Sequence, residues 1–176
     1  MSGRSVCVVG LGYVGLPTAS MLATRGIHVY GLDVDEKVVR ELAAGRTHIT
    51  EPDLDTLVQA AIQSGNLRCG TEPDRADVFV IAVPTPVRKD RTADLDAVAA
   101  AAGSVASVLK RGNLVILEST VPPGTTTGLL RRVLERSGLS AGTDFLLAHC
   151  PERVLPGNLR ERIRFDGPTI ALPGER

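Results

Sequence analysis

Three glycines near the amino terminus have the spacing of a loop that binds a dinucleotide. Gly10, Gly12 and Gly15 form a GxGxxG pattern, with Tyr13 and Val14 between the last two glycines. In such a loop the first glycine permits a tight turn, the second lets a pyrophosphate approach the backbone, and the third lets a helix pack closely on the sheet. Free amides and the positive end of the helix dipole then face the phosphates. We expect these five residues to bind a cofactor.

An acidic residue follows the glycine loop at a suitable distance. Asp33 ends the second predicted strand, 18 residues after Gly15 (33 − 15). A carboxylate there accepts hydrogen bonds from both hydroxyls of the adenosine ribose and repels a 2′-phosphate. Because no arginine follows immediately, although Lys37 is nearby, the sequence favours NAD over NADP. The alternative interpretation is a structural glycine turn followed by a helix-capping aspartate.

Three further segments with reactive side chains follow predicted strands. Thr85 lies between two prolines, Ser119 and Thr120 precede a Val-Pro-Pro-Gly sequence, and Glu152 follows Pro151. Ligands of parallel α/β sheets bind beyond the carboxyl ends of the strands, so these side chains are candidates for ligand contacts. A glutamate in that position can act as a general base or orient a water molecule.

Each of these candidates has a structural alternative. The Thr85 segment could be an ordinary strand exit, and Glu152 could form a surface ion pair with Arg153 or Arg160. Residues 119–120 could cap a helix, but Thr125 is placed to do so, which would leave the Ser119 and Thr120 hydroxyls free for a ligand or water.

The three cysteines match neither a zinc spacing nor a disulfide framework, which suits a reducing cytoplasm. No set of metal ligands is evident. Cys150 follows His149, but neighbouring side chains of a strand point to opposite faces, which disfavours a nucleophile–base pair. Cys7 is expected in the core and Cys69 has no partner at metal spacing.

The pattern of apolar residues predicts alternating strands and helices. Predicted strands cover Ser5–Gly10, Ile27–Leu32, Leu67–Gly70, Asp77–Val83, Asn113–Glu118 and Asp144–His149, with an edge strand at Ile170–Leu172. Predicted helices cover Val14–Arg25, Asp35–Ala44, Asp53–Ser64 (capped by Asp53), Ala93–Leu109 and Gly124–Arg136. This alternation indicates an α/β fold with a doubly wound, mostly parallel sheet, a single Rossmann domain over residues 1–176.

Composition excludes several classes of protein. The 20 basic residues balance the 20 acidic ones, so nothing indicates a nucleic-acid partner. The uncharged run from Ser5 to Thr24 is long enough to span a bilayer, but it contains three glycines, a proline and several hydroxyl residues. We therefore interpret it as a strand, a glycine turn and a helix, and expect no membrane role and a cytoplasmic location.

Four segments together resemble the nucleotide-sugar 6-dehydrogenases, the UDP-glucose/GDP-mannose dehydrogenase family. They are GLGYVGLP (Gly10–Pro17), VPTP (Val83–Pro86), ESTVPPGT (Glu118–Thr125) and PERVLPG (Pro151–Gly157). The resemblance covers nearly the whole chain. It implies oxidation of a sugar C6 alcohol to a carboxylate with two NAD⁺, through a cysteine-bound thioester, in an enzyme of polysaccharide biosynthesis.

The resemblance also implies roles for particular residues. Thr120 matches the threonine that holds the catalytic water, and Glu152 matches the glutamate that assists hydrolysis. Thr85, Ser119 and Thr120 match contacts on the cofactor side, and Asp33 matches the ribose-binding acid.

The chain departs from the family pattern in two respects. The segment that carries the family's nucleophilic cysteine does not occur, so we expect only the NAD-binding domain, without the central helix and the nucleotide-sugar domain. The fragment alone is then expected to be inactive, and the full-length protein is expected to be a homodimer.

The second departure is the segment Arg153–Gly157, which resembles the branch that acts on N-acetylated sugars, UDP-N-acetylmannosamine in particular. UDP-glucose or UDP-N-acetylglucosamine is the alternative substrate. A β-hydroxyacid dehydrogenase and a non-catalytic NAD-binding module also remain alternatives, of which STVPPGT and PERVLPG disfavour the first.

Overall fold

Six short strands rich in valine, leucine and isoleucine form one parallel sheet. The computed structural model describes residues 4–151. The strands are β1 (Ser5–Val9), β2 (His28–Leu32), β3 (Leu67–Gly70), β4 (Val78–Ile81), β5 (Leu114–Leu117) and β6 (Leu146–His149). Their order in the sheet is β3-β2-β1-β4-β5-β6, and every neighbouring pair is parallel. From β1 the chain adds β2 and β3 on one side, and it then crosses over to add β4, β5 and β6 on the other side. Ligands of such sheets bind at the carboxyl ends of the two strands where this reversal occurs, here β1 and β4.

Helices cover both faces of the sheet, so the central strands are buried on both sides. The helices are α1 (Gly15–Thr24), α2 (Glu36–Ala43), α3 (Leu54–Gln63), α4 (Asp96–Val108) and a last segment in which a π-helix (Thr126–Leu130) continues into α5 (Arg131–Leu134) and a 3-10 turn (Glu135–Ser137). In β1, Val6 and Val8 pack with α1 and α3, whereas Cys7 and Val9 pack with α4 and α5. This alternation confirms the predicted doubly wound α/β fold.

The predicted strands agree with the observed ones to within one or two residues, but one helix begins later than predicted. We expected the fourth helix to begin at Ala93, and it begins at Asp96. Ala93 instead pairs with Val87 in an isolated antiparallel bridge. The Asp94 carboxylate accepts from the Asp96 amide at 3.0 Å and from the Arg88 guanidinium at 3.1 Å. The bridge and the two hydrogen bonds of Asp94 hold the chain outside the helix until Asp96, against the helical tendency of the sequence.

Two predicted helix caps are wrong. Asp53 has φ 64° and its side chain makes no capping hydrogen bond to α3. Thr125 has helical backbone angles, and its hydroxyl donates to the carbonyl of Pro122 at 2.7 Å. An N-cap residue needs extended backbone angles for its side chain to reach the first free amides, which neither residue has.

The predicted edge strand Ile170–Leu172 and the candidate Glu152 lie outside the described residues. Within residues 4–151, no helix is long and apolar enough to cross a membrane.

Candidate cofactor site

The three glycines of the first loop are required for three different reasons. Gly10 has φ 90°, and a Cβ there would lie 2.7 Å from the carbonyl oxygen of Ala82. A Cβ on Gly15 would overlap the carbonyl oxygen of Gly10 and lie 3.2 Å from Val8 in β1. A Cβ on Gly12, in contrast, would meet no atom within 4 Å. Gly10 and Gly15 are therefore constrained by the fold, and Gly12 leaves open space beside the backbone.

Two backbone amides just before α1 are left without a partner in the described part of the fold. The Gly10 amide donates to Leu32 at 2.8 Å and the Gly12 carbonyl accepts from Leu16 at 3.0 Å, which fixes the loop. The amides of Gly12 and Tyr13 donate to no atom of the described residues. Unsatisfied amides at the positive end of a helix bind phosphate groups. The loop thus fits the pyrophosphate of a dinucleotide.

Asp33 connects the second strand to the glycine loop. One carboxylate oxygen accepts from the Leu11 amide at 2.8 Å, and the other accepts from the Asp35 amide at 3.0 Å. Each oxygen of an ionised carboxylate can accept a second hydrogen bond. Asp33 is therefore oriented by the backbone and can still accept two hydroxyls of a ribose.

The loops after β4 and β5 are joined by two side-chain hydrogen bonds. The Ser119 hydroxyl donates to the Val83 carbonyl at 2.7 Å, and the Thr85 hydroxyl donates to the Thr120 carbonyl at 2.6 Å. The expectation that the Ser119 hydroxyl is free was wrong, because its proton is already used. The exposed Thr120 side chain makes no hydrogen bond to the described residues. Both engaged hydroxyls can still accept a hydrogen bond from a ligand.

Glu118 is a residue of this site that the sequence interpretation missed. It is 9% exposed at the end of β5, and its carboxylate lies 3.4 Å from the Thr18 hydroxyl of α1. The Thr18 hydroxyl also lies 2.9 Å from the Val14 carbonyl, to which it donates. A charged residue at the end of a buried strand is unusual, and that signal was available in the sequence. Glu118 links the glycine-loop helix to the loop that carries Thr120.

The three cysteines of the chain differ in burial. Burial in β1 raises the pKa of Cys7 to about 12 and burial in β3 raises that of Cys69 to about 11. Both are protonated near neutral pH and are poor nucleophiles. Cys150 is half-buried, and the Nδ1 atom of His149 is buried with no partner among the described residues. Neither Cys7 nor Cys69 is therefore an activated thiol.

Comparison with known proteins identifies the family. Residues 4–166 match the NAD binding domain of the UDP-glucose/GDP-mannose dehydrogenase family. The chain is 51% identical to an NDP-N-acetyl-D-galactosaminuronic acid dehydrogenase of Ralstonia solanacearum, over 93% of this chain and 40% of the relative. It is 48% identical to a UDP-N-acetyl-D-mannosamine dehydrogenase of Methanocaldococcus jannaschii, over 93% of this chain and 38% of the relative.

A solved structure agrees with these matches. The UDP-N-acetyl-mannosamine dehydrogenase of Staphylococcus aureus superposes with a TM-score of 0.90 and 40% identity, over 96% of this chain and 41% of that one. The chain thus spans about two fifths of the length of these relatives. The family match over most of the chain, together with the glycine loop, shows that this chain belongs to the UDP-glucose/GDP-mannose dehydrogenase family and is its NAD-binding domain.

Proposed function

We propose that the chain provides the cofactor half of an enzyme that oxidises the C6 alcohol of a nucleotide sugar to a carboxylate, using two NAD⁺. The observation that supports this most directly is that a glycine loop with an acidic residue and two hydroxyl-rich loops lie together at the carboxyl ends of the strands. The glycine loop and Asp33 follow β1 and β2, and the hydroxyl-rich loops follow β4 and β5. A dinucleotide that lies across the carboxyl ends of β1 and β4 contacts the glycine loop and Asp33 with one half and the hydroxyl-rich loops with the other.

The residues of the glycine loop hold the pyrophosphate in this proposal. The Gly12 and Tyr13 amides donate to it, with Val14 and Gly15 beginning the helix beneath it, and Asp33 accepts the ribose hydroxyls. NAD⁺ supplies the hydride acceptor when it is bound. The remaining steps depend on how the loops after β4 and β5 orient the nicotinamide half and exclude or place water.

Thr120 and Glu152 act on the second half of the reaction. The Thr120 hydroxyl is exposed beyond β5, where it can hold a water molecule for hydrolysis of the thioester. Glu152 would accept a proton from that water, as the family resemblance implies. The nucleophilic thiol would come from the remainder of the full-length protein, since Cys7 and Cys69 are held protonated by burial.

For the substrate we propose UDP-N-acetylmannosamine. The names of the relatives support an N-acetylated sugar, because the matches at 51% and 48% identity are named for N-acetyl-galactosaminuronic acid and N-acetylmannosamine. The Arg153–Gly157 segment supports the same branch. UDP-glucose and UDP-N-acetylglucosamine are the competing substrates. We further propose a homodimeric full-length enzyme, located in the cytoplasm, that supplies uronic acids for polysaccharide biosynthesis.

The experiment that tests the function is turnover by the full-length protein on a panel of UDP-sugars. NADH formation should be fastest with UDP-N-acetylmannosamine and should reach two NADH per sugar. The 176-residue chain alone serves as the control, and should bind NAD while oxidising none of these sugars. No NADH from any nucleotide sugar with the full-length protein would overturn the proposal.

A second experiment tests Glu152 within the full-length protein. Glu152→Gln removes the base but keeps the size of the side chain, so thioester hydrolysis should slow and a covalent adduct should accumulate. Mass spectrometry after incubation with sugar and NAD⁺ detects the adduct, and the unsubstituted full-length protein treated in the same way is the control. Normal turnover without an adduct would reduce Glu152 to a surface ion pair.

A further inference from the structure

We propose that Ser119 and Thr85 are positioning residues that fasten the loops after β4 and β5 to each other and thereby fix the place of Thr120. The proposal deepens the function proposed above and rests on it for its catalytic meaning. Its structural part stands on two hydrogen bonds, from Ser119 to the Val83 carbonyl and from Thr85 to the Thr120 carbonyl.

The two bonds run in opposite directions across the gap between the loops. The loop after β4 supplies the Val83 acceptor and the Thr85 donor, and the loop after β5 supplies the Ser119 donor and the Thr120 acceptor. A carbonyl oxygen cannot donate, so both hydroxyl protons are committed to these bonds. Displacing either loop alone would break both bonds together.

The backbone itself provides no alternative connection at this point. Backbone pairing between β4 and β5 ends where the Ile81 carbonyl accepts from the Glu118 amide at 2.8 Å and from the Ser119 amide at 3.3 Å. Beyond it, residues 83–86 and 119–123 share no backbone hydrogen bond within the described part of the chain. Four of these nine residues are prolines, which have no amide proton to donate. The side-chain hydroxyls of Ser119 and Thr85 therefore connect the two loops in place of the backbone hydrogen bonds between strands.

The arrangement acts on Thr120 through its own backbone. The Thr120 carbonyl accepts a hydrogen bond from Thr85. The preceding residue, Ser119, is 6% exposed and is held by its own hydrogen bond to the Val83 carbonyl. The Thr120 hydroxyl, in contrast, makes no bond to the described residues. A fixed backbone with an unengaged hydroxyl suits a residue that must present that hydroxyl to a water molecule in one orientation.

Amide hydrogen exchange of this chain tests the structural part, with a matched pair of variants. Thr85→Val keeps the shape of the side chain and removes the donor, whereas Thr85→Ser keeps the donor. We expect Thr85→Val to raise exchange of the Ser119 amide about 10-fold. Thr85→Ser should leave it unchanged. The Leu146 amide, which donates to the Asn113 carbonyl at the amino ends of β5 and β6, away from the two loops, is the internal control and should not change in either variant.

A double variant tests whether the two bonds act as one unit. The readout here is the Thr125 amide, which donates to the Pro122 carbonyl at 3.2 Å in the loop after β5, because Ser119 itself is changed. Ser119→Ala added to Thr85→Val should raise its exchange by less than the product of the two single effects, because both bonds hold the same pair of loops. Exchange unchanged by Thr85→Val, or equally raised by Thr85→Ser, would overturn the proposal.

Kinetics of the full-length enzyme test the catalytic part. Thr85→Val should lower kcat about 5- to 10-fold with a change of less than about 3-fold in KM for NAD⁺, and Thr85→Ser should restore kcat. A larger effect on KM than on kcat would show instead that Thr85 only binds the cofactor, which contradicts a positioning role. If the exchange results hold but the full-length protein oxidises no nucleotide sugar, the proposed function fails while the fastening of the loops stands.

Discussion

Asp33 offers the sharpest test of cofactor recognition in this domain. Its carboxylate is oriented by the Leu11 amide at 2.8 Å and the Asp35 amide at 3.0 Å, and it retains one acceptor position on each oxygen. Asp33→Ala removes the ribose contacts and also leaves the Leu11 amide without its acceptor. The substitution should therefore weaken NAD through lost hydrogen bonds and through a less well-fixed glycine loop.

The magnitude follows from the chemistry of those bonds. A hydrogen bond to a charged group contributes about 1.5–3 kcal/mol, so loss of even one ribose contact should weaken NAD by about 10- to 150-fold. For NADP the effect has the opposite sign. Two unit charges about 4 Å apart repel by about 1 kcal/mol in water and about 4 kcal/mol near a protein surface, and a 2′-phosphate carries nearly two charges. Removing the carboxylate should thus lower the ratio of the NAD affinity to the NADP affinity by at least about 10-fold.

Isothermal titration of this chain with NAD and NADP measures both affinities. Asp35→Ala is the matched control: it removes a carboxylate two residues away that instead caps α2, accepting from the Lys37 amide at 2.8 Å. That control should cost about 1 kcal/mol of stability and leave the ratio of the two affinities nearly unchanged. NADP binding to the unmodified chain as tightly as NAD would refute the reasoning, as would an unchanged ratio in Asp33→Ala.

Three further predictions concern the glycine loop and the thiols. Gly12→Ala should fold with an unchanged thermal midpoint yet lose NAD binding by titration, because its Cβ enters the open space where a pyrophosphate would lie; normal binding would contradict this. Gly15→Ala should unfold or lower the midpoint by calorimetry, since its Cβ overlaps the Gly10 carbonyl, and a midpoint equal to that of Gly12→Ala would count against it. Burial raises the pKa of Cys7 from 9.0 to about 12, so the folded state keeps a proton that the unfolded state releases, and Cys7 should contribute a fall in stability of about 1.4 kcal/mol per pH unit above pH 9. Cys69, whose pKa burial raises to about 11, adds a slope of the same sign to both proteins, so the difference between the two slopes reports on Cys7. Urea unfolding of the chain and of Cys7→Ala between pH 8 and pH 10.5 measures that slope, and equal slopes would contradict the predicted protonation.

Much of the fold could be predicted because its information is local. Runs such as Ser5–Val9 and Val78–Ile81 are apolar on both faces, which is the mark of a central parallel strand, and their bounds agree with the prediction to within two residues. The glycine spacing likewise predicts a tight turn before α1. The reasons for Gly10 and Gly15 became specific only in three dimensions, where their missing Cβ atoms make room for Ala82 and for the Gly10 carbonyl.

The caps and the start of α4 could not be predicted in the same way. Asp53 and Thr125 are good capping residues by type, but Asp53 has left-handed and Thr125 helical backbone angles, and neither side chain caps its helix. The helix at Asp96 starts late because Ala93 pairs with Val87, a contact that helix propensity does not contain. In each case the backbone path of the neighbouring loop outweighed a residue-type preference of about 1 kcal/mol.

For the candidate site too, some features could be predicted from the sequence and others depended on the folded structure. Residue types and spacing by themselves predicted a dinucleotide site at the glycine loop and Asp33 and ligand contacts at the hydroxyl residues, because the amides, carboxylate and hydroxyls needed for that chemistry lie at predicted strand ends. Only the tertiary structure decided which hydroxyl protons are already used. The Ser119 and Thr85 acceptors are carbonyls more than 30 residues away along the chain, brought near by the pairing of β4 with β5. Hydrogen bonds between such distant residues depend on strand register and loop path, which are properties of the folded chain and not of any segment of the sequence.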